Sequence, residues 1–226
     1  MDETTTAPPL PRLNEPAPDF EAVTTHGPLK LSELTATGKW VLLFSHPADF
    51  TPVCTTEFVA FSQRVEEFDQ RGVQLLGLSI DSVHAHLAWM RDIEQAFGVV
   101  VPFPVIADLD MRVATLYGMV HPGASSTAAV RTVFLIDPKG MLRAMLYYPL
   151  STGRNIDELL RMVDALQTTD RYGVSTPANW RPGESVVVPA PLTMQDLAAE
   201  EARKQDYEYK RWYLRLKQVD TAVAAH

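Results

Sequence analysis

The chain has 226 residues, 46% hydrophobic and 21% charged, which is enough for one full core and a smaller appendage. Its formal net charge is −8, with both signs interspersed and no basic block, which excludes recruitment of nucleic acid or an anionic membrane surface. A single cysteine excludes an intrachain disulfide framework and a cysteine-based metal cluster. The opening MDETTTAPPLPRL is acidic and proline-rich, without the apolar stretch of a signal peptide. No apolar run approaches the roughly 18 residues that span a bilayer. A soluble, cytoplasmic protein is expected.

Residues 1–15 read as a loose leader that hands over to an extended segment at 17–20. Residues 40–44, Trp-Val-Leu-Leu-Phe, form a continuous apolar run, as a strand buried on both faces requires. From Cys54 to Arg71 the spacing of Phe58, Phe61, Val65 and Phe68 predicts one amphipathic helix, stopped by Gly72. A second apolar strand covers 73–80. The helix expected over 82–97 presents Leu87, Met90, Ile93 and Phe97 as its apolar face. A short strand at 105–107, a short helix through Tyr117 and a Gly/Ser/Ala loop at 121–129 follow. The strand 132–136, the turn Asp137-Pro138-Lys139-Gly140 and the run 141–147 read as a hairpin. Residues 155–167 form a clean amphipathic helix. Alternating strands and helices predict an α/β fold whose central sheet is covered on both faces, and the late hairpin makes that sheet mixed.

Beyond residue 168 the texture changes. Prolines cluster at 177, 182, 189 and 191, and a charged helical tail is expected from Thr193, carrying Tyr207, Tyr209, Trp212 and Tyr213. The division is therefore a leader over 1–15, a main domain over 16–168 and a smaller extension over 169–226. That aromatic tail has little core of its own to fill and is expected to pack against another chain.

The chemistry concentrates in His46-Pro47-Ala48-Asp49-Phe50-Thr51-Pro52-Val53-Cys54-Thr55-Thr56-Glu57, between a buried strand and an amphipathic helix. Thr51 followed by Pro52 is a helix start, an N-cap and a proline at the first position. Cys54 thus falls in the first turn, where unpaired N–H groups and the positive end of the helix dipole favour a thiolate nucleophile. Simple packing of a small buried cysteine is the competing reading of these residues.

Pro47-x-x-x-Thr51-x-x-Cys54 resembles the peroxiredoxin active-site signature, and the longer string from Ser45 to Glu57 is similar to the 1-Cys subfamily. Ala17-Pro18-Asp19-Phe20, Arg131-Thr132-Val133-Phe134-Leu135-Ile136-Asp137, Thr152-Gly153-Arg154-Asn155 and Thr176-Pro177-Ala178-Asn179-Trp180 continue that likeness in order. It spans about residues 14 to 215. The resemblance implies a thioredoxin-like fold whose C-terminal extension serves dimerisation. It implies that Cys54 attacks the peroxide and that Thr51 hydrogen-bonds the thiolate and the substrate. By the same likeness Pro47 shields the pocket, and Arg131 reaches back to favour the thiolate and bind the peroxide oxygens. His46 and Arg154 stand near the pocket. Glu57 orients arginines or offsets the helix dipole.

The implied reaction is reduction of hydrogen peroxide and organic hydroperoxides through a sulfenic acid, with no cofactor and no metal. With no second cysteine in the chain, an external thiol regenerates the enzyme. A homodimer, or a ring of dimers, is the implied assembly; a peroxide sensor and a ring-forming holdase chaperone are the alternative functions. Thr37-Gly38-Lys39-Trp40-Val41 stands where some relatives carry Gly-x-Ser-Trp-Gly, and its lysine argues against their phospholipase activity. His84 and His86, two apart on a helix, are expected to be solvated surface residues rather than a metal pair.

Overall fold

The computed structural model describes residues 10–220, so most of the expected leader lies outside it. The chain divides into two compact units, one ending at Ile156 and the other beginning at Asp157.

The first unit is built on a seven-stranded sheet. Its strands are β1 (Glu21–Thr24), β2 (Gly27–Lys30), β3 (Trp40–Ser45), β4 (Val73–Ser79), β5 (Val105–Ala107), β6 (Arg131–Ile136) and β7 (Leu142–Tyr148), in the order β2-β1-β5-β4-β3-β6-β7. β3, β4 and β5 run parallel, whereas β6 pairs antiparallel with both β3 and β7, so the sheet is mixed as expected. The helices are α1 (Leu31–Thr35), α2 (Pro52–Gln63), α3 (Val65–Asp69), α4 (Val83–Phe97) and α5 (Arg112–Leu116).

Because side chains alternate along a strand, β3 feeds two cores. Val41 and Leu43 join Leu31, Val113, Tyr117, Phe134 and Ile136 on one face. Phe44 points to the other, where it stacks on Phe61 at 4.3 Å and meets Phe58 edge-on at 5.7 Å. All six β3 residues are buried, which is why the run lacks any polar alternation.

Several local expectations are corrected. The helix drawn over 54–71 is two helices, broken where Arg64 leaves helical geometry at φ −111°, ψ 8°. The apolar face of α4 is offset from the one read from spacing. His86, Trp89 and Ile93 are buried, while Leu87 and Phe97 are about half exposed. His86 was expected in solvent; it is fully buried because a carboxylate from another element meets it. The hairpin β1–β2 has no counterpart in the sequence reading, its short strands carrying only a weak apolar pattern. At the leader's end, the N–H of Asn14 donates to Leu142 O, and Glu15 O accepts from Leu142 N.

All of α6 (Ile156–Tyr172) but its first residue belongs to the second unit, and the helix runs five residues longer than expected at its C-terminal end. β8 (Val186–Val187), α7 (Met194–Ala202), a 3-10 turn (Lys204–Asp206), β9 (Glu208–Arg211) and β10 (Leu214–Lys217) follow. The three strands make a small antiparallel sheet in the order β8-β10-β9. The aromatic tail is therefore a hairpin rather than a helix, with Trp212 and Tyr213 in its turn packed edge to face at 5.5 Å. This unit also has a core of its own, formed by Val174, fully buried Trp180 and Val186. Among the described residues no helix is long and apolar enough to cross a membrane.

Candidate active site

Thr51 is the N-cap of α2, Pro52 its first residue and Cys54 its third, as the sequence requires. Cys54 therefore sits within the first turn, among N–H groups that lack intrahelical acceptors. Its side chain is completely buried. One turn further along, Glu57 projects from the same face, as a residue three positions on must.

Arg131, the first residue of β6, comes to Cys54 across 77 positions of sequence. Its Nη1 donates to Cys54 Sγ at 3.3 Å and to Glu57 Oε2 at 2.7 Å, while its Nε donates to Leu150 O at 3.0 Å. Arg154 closes the other side of the carboxylate. Its Nε and backbone N–H donate to Glu57 Oε1 at 2.8 and 2.9 Å, and its Nη2 to Oε2 at 2.6 Å. Arg154 Nη1 donates to Ser45 O at 2.8 Å and Thr132 O at 2.9 Å. Its guanidinium lies 5.0 Å from the ring centre of Phe44 and 5.6 Å from that of Phe61.

Burial alone would push the Glu57 carboxyl up, but the charge and hydrogen bonds of Arg154, then Arg131, outweigh it and hold Glu57 below the usual carboxylate range. Two buried guanidinium groups and one carboxylate leave one unbalanced positive charge beside the sulfur. A thiolate neutralises that charge; a thiol does not.

Pro47 lies half-buried in the linker between β3 and α2. Thr51 behaves differently from the expectation. Its hydroxyl donates to Ala48 O at 2.8 Å rather than to the sulfur, and caps no N–H of α2. With the proton so committed, Oγ1 presents lone pairs and acts as an acceptor. His46 directly follows Ser45, whose carbonyl accepts from Arg154. It is buried and turned to Asp49, with Nε2 2.8 Å from Asp49 Oδ1, while His86 Nδ1 stands 2.7 Å from Asp49 Oδ2. Desolvation pushes His46 down, against the pull of Asp49. Asp49, which burial would raise, is held below its ordinary value by hydrogen bonds from His46 and His86.

Sequence reasoning missed Asp49 and His86. The His46–Asp49 spacing was visible, but nothing near His86 in the chain announces its partner. These three residues offer metal-ligating atoms within 4.8 Å of one another. The atoms already satisfy each other at hydrogen-bonding distance, so the trio fits a proton-linked network better than a metal centre. Asp108 caps α5 through both oxygens, which accept from Val113 N at 3.0 Å and Ala114 N at 2.7 Å.

A buried first-turn cysteine against a guanidinium, on a mixed α/β sheet, defines a thiol-based enzyme. Residues 13–145 match the AhpC/TSA family, and residues 165–206 match the C-terminal domain of 1-Cys peroxiredoxin. A peroxiredoxin of Aquifex aeolicus is 56% identical over 220 residues, covering 93% of this chain and 98% of the relative. Peroxiredoxin 2 of Caldanaerobacter subterraneus subsp. tengcongensis is 55% identical over 210 residues, covering 93% and 94%. Among solved structures, a yeast mitochondrial 1-Cys peroxiredoxin is similar with TM-score 0.82 and 42% identity, covering 92% of this chain and 99% of that one. A cysteine variant of the Peroxiredoxin 6 of Arenicola marina also gives TM-score 0.82, at 39% identity and 91% and 97% coverage. The chain belongs to the AhpC/TSA family, in its 1-Cys peroxiredoxin branch, and has that family's thioredoxin-like fold. It is a thiol-dependent peroxidase.

Glu57→Gln leaves two buried guanidinium groups without their counter-charge, and a loss of about 3–5 kcal/mol of stability is expected. Because the folded carboxyl titrates below its ordinary 4.5, its contribution is complete above that pH and is lost as pH falls through the lowered value. Urea titrations from pH 7 to pH 3 check both points: the variant starts less stable and loses less on acidification than the parent.

Proposed function

We propose that the chain reduces hydrogen peroxide and organic hydroperoxides at Cys54 and is regenerated by an external thiol. The observation that carries this reading is the Arg131 guanidinium shared between Cys54 Sγ and Glu57. The thiolate attacks one peroxide oxygen, the O–O bond breaks, and the departing alkoxide or hydroxide takes a proton. The sulfur is oxidised to a sulfenic acid. Arg131 and the first-turn N–H groups stabilise charge developing on the oxygens, as an oxyanion hole does. Thr51 Oγ1 accepts the peroxide O–H, Pro47 shields the sulfur from water, and Arg154 holds Glu57 so that Glu57 aims Arg131. His46 supports the linker rather than the sulfur.

The chain's single cysteine leaves no resolving partner within it. One thiol from outside then forms a mixed disulfide and releases water, and a second frees Cys54. The yeast relative's structure concerns a thiol-resolving mechanism via glutathione/thioredoxin systems, which supports a small or protein thiol as reductant here. Such a cycle suits the reducing cytoplasm.

The second unit serves association into a homodimer, with rings of dimers as the larger form. Leu192, Met194, Trp212 and Tyr213 are exposed apolar side chains of the kind enriched where chains meet.

Cys54→Ser is expected to abolish peroxide consumption with dithiothreitol as donor while leaving the circular dichroism spectrum unchanged. In the parent, one equivalent of hydrogen peroxide without reductant adds the mass of one oxygen at Cys54, and excess peroxide adds two and three. Retained turnover in the variant overturns the assignment.

Arg131→Ala is expected to slow the second-order reaction of Cys54 with peroxide about 100-fold or more. Stopped-flow tryptophan fluorescence follows that step directly, and an unchanged rate removes Arg131 from the mechanism.

Light scattering at micromolar concentration is expected to give at least the dimer mass. Leu192→Asp combined with Trp212→Asp lowers it. A monomer mass for the parent overturns the association.

A further inference from the structure

Between β3 and α2 the chain turns through Phe50, whose φ of +55° lies in the left-handed region that bulky side chains avoid. The Phe50 ring does not anchor this turn. It is 58% exposed, and its aromatic neighbour is Trp89, with ring centres 6.5 Å apart. The conformation must be imposed by its neighbours.

Asp49 is tied down on three sides. Its Oδ1 accepts from His46 Nε2 at the end of β3 and its Oδ2 from His86 Nδ1 on α4. Its N–H donates to Asp81 Oδ2 at 3.0 Å, an oxygen that also accepts from Ser79 Oγ at 2.6 Å. On the other side of Phe50, Thr51 O accepts from Thr55 N at 3.0 Å and Thr55 Oγ1 at 2.8 Å, the bonds that begin α2.

Hydrogen-bond counting fixes the protons. His86 Nε2 stands 3.1 Å from Ile106 O, a carbonyl that can only accept, so Nε2 carries hydrogen. Nδ1 faces Asp49 Oδ2 at 2.7 Å. His46 donates through Nε2, and its Nδ1 is buried with no hydrogen-bond partner, as a bare nitrogen on a neutral ring can be. An amide in place of Asp49 could not accept from both rings without turning its NH2 toward a donor.

We propose that Asp49, clamped between His46 and His86, is a positioning residue. It holds Phe50 in its strained turn and thereby sets Thr51 at the head of the helix that bears Cys54. The inference rests on the peroxidase reading of Cys54 and on Thr51 as acceptor for the peroxide.

The test compares two reactions of Cys54. Hydrogen peroxide needs Thr51 in place, whereas iodoacetamide needs only an accessible thiolate. Asp49→Asn is expected to slow the peroxide reaction by about ten- to a hundred-fold, while alkylation holds or quickens. Adding Phe50→Gly, which takes the same φ without strain, restores most of the peroxide rate. His86→Asn keeps a donor for Asp49 and loses less than His86→Leu, which keeps the proposal testable if Asp49→Asn folds poorly. A parental peroxide rate in Asp49→Asn, or a double variant no faster than the single one, overturns the clamp. So does an equal loss in the two His86 variants. Cys54→Ser separates the two readings: its full loss of turnover beside an unaffected Asp49→Asn removes the clamp alone, whereas retained turnover removes the peroxidase reading beneath it.

Discussion

The Glu57 carboxylate, gripped from two sides by Arg131 and Arg154, is the interaction on which the rest of the site depends. Burying three charges is costly, and it succeeds here because every carboxylate oxygen and most guanidinium N–H groups have defined partners. The same bonds join three parts of the fold that are distant in sequence. α2 supplies the carboxylate, β6 one guanidinium, and the segment after β7 the other. Arg154 also donates to carbonyls of β3 and β6, so the ion cluster is fastened to the centre of the sheet. The sulfur lies beside this cluster, 3.3 Å from Arg131 Nη1.

Around these charges the protein places aromatic rings rather than aliphatic side chains. Arg154 lies over Phe44 and Phe61, whereas the neutral ring of His46 packs against Phe58 and Trp89 with ring centres 4.8 and 5.1 Å away. Ring faces carry partial negative charge, so they tolerate a buried cation better than methyl groups do. Trp89 Nε1 donates to Thr55 Oγ1 at 3.3 Å, which ties α4 to the first turn of α2. The aromatic layer thus separates the Glu57 cluster from the Asp49 network while packing against both.

What the sequence revealed divides by the range of the interaction. The start of α2 was legible because Thr51 and Pro52 encode it locally, and Cys54 follows three positions on. β3, β4 and the β6–β7 hairpin were legible because burial on both faces leaves uninterrupted apolar runs. Composition and periodicity do not single out Arg131, since its partner lies 77 residues away; only the family likeness named it. No such likeness marked His86, and of the apolar face expected for α4 only Ile93 is among the fully buried residues. A histidine counts as polar until its buried partner is known. The aromatic residues at 207–213 misled in another way. Their charged neighbours suggested a helix, but alternation along β9 and β10 accommodates the same composition in a hairpin with one face outward.

The long separations within the site also order events during synthesis. Chains emerge from the ribosome N-terminus first, and contacts form only when both partners exist. Cys54 and Glu57 emerge long before either guanidinium. Until Arg131 has been made, the sulfur has no cation beside it, and until Arg154 follows, Glu57 has only one of its two partners. The nascent chain therefore carries Cys54 without its guanidinium neighbour through more than half of its translation. The complete arrangement arises only with the nearly finished sheet, so it is a late product of synthesis and not a property of the helix that carries the cysteine.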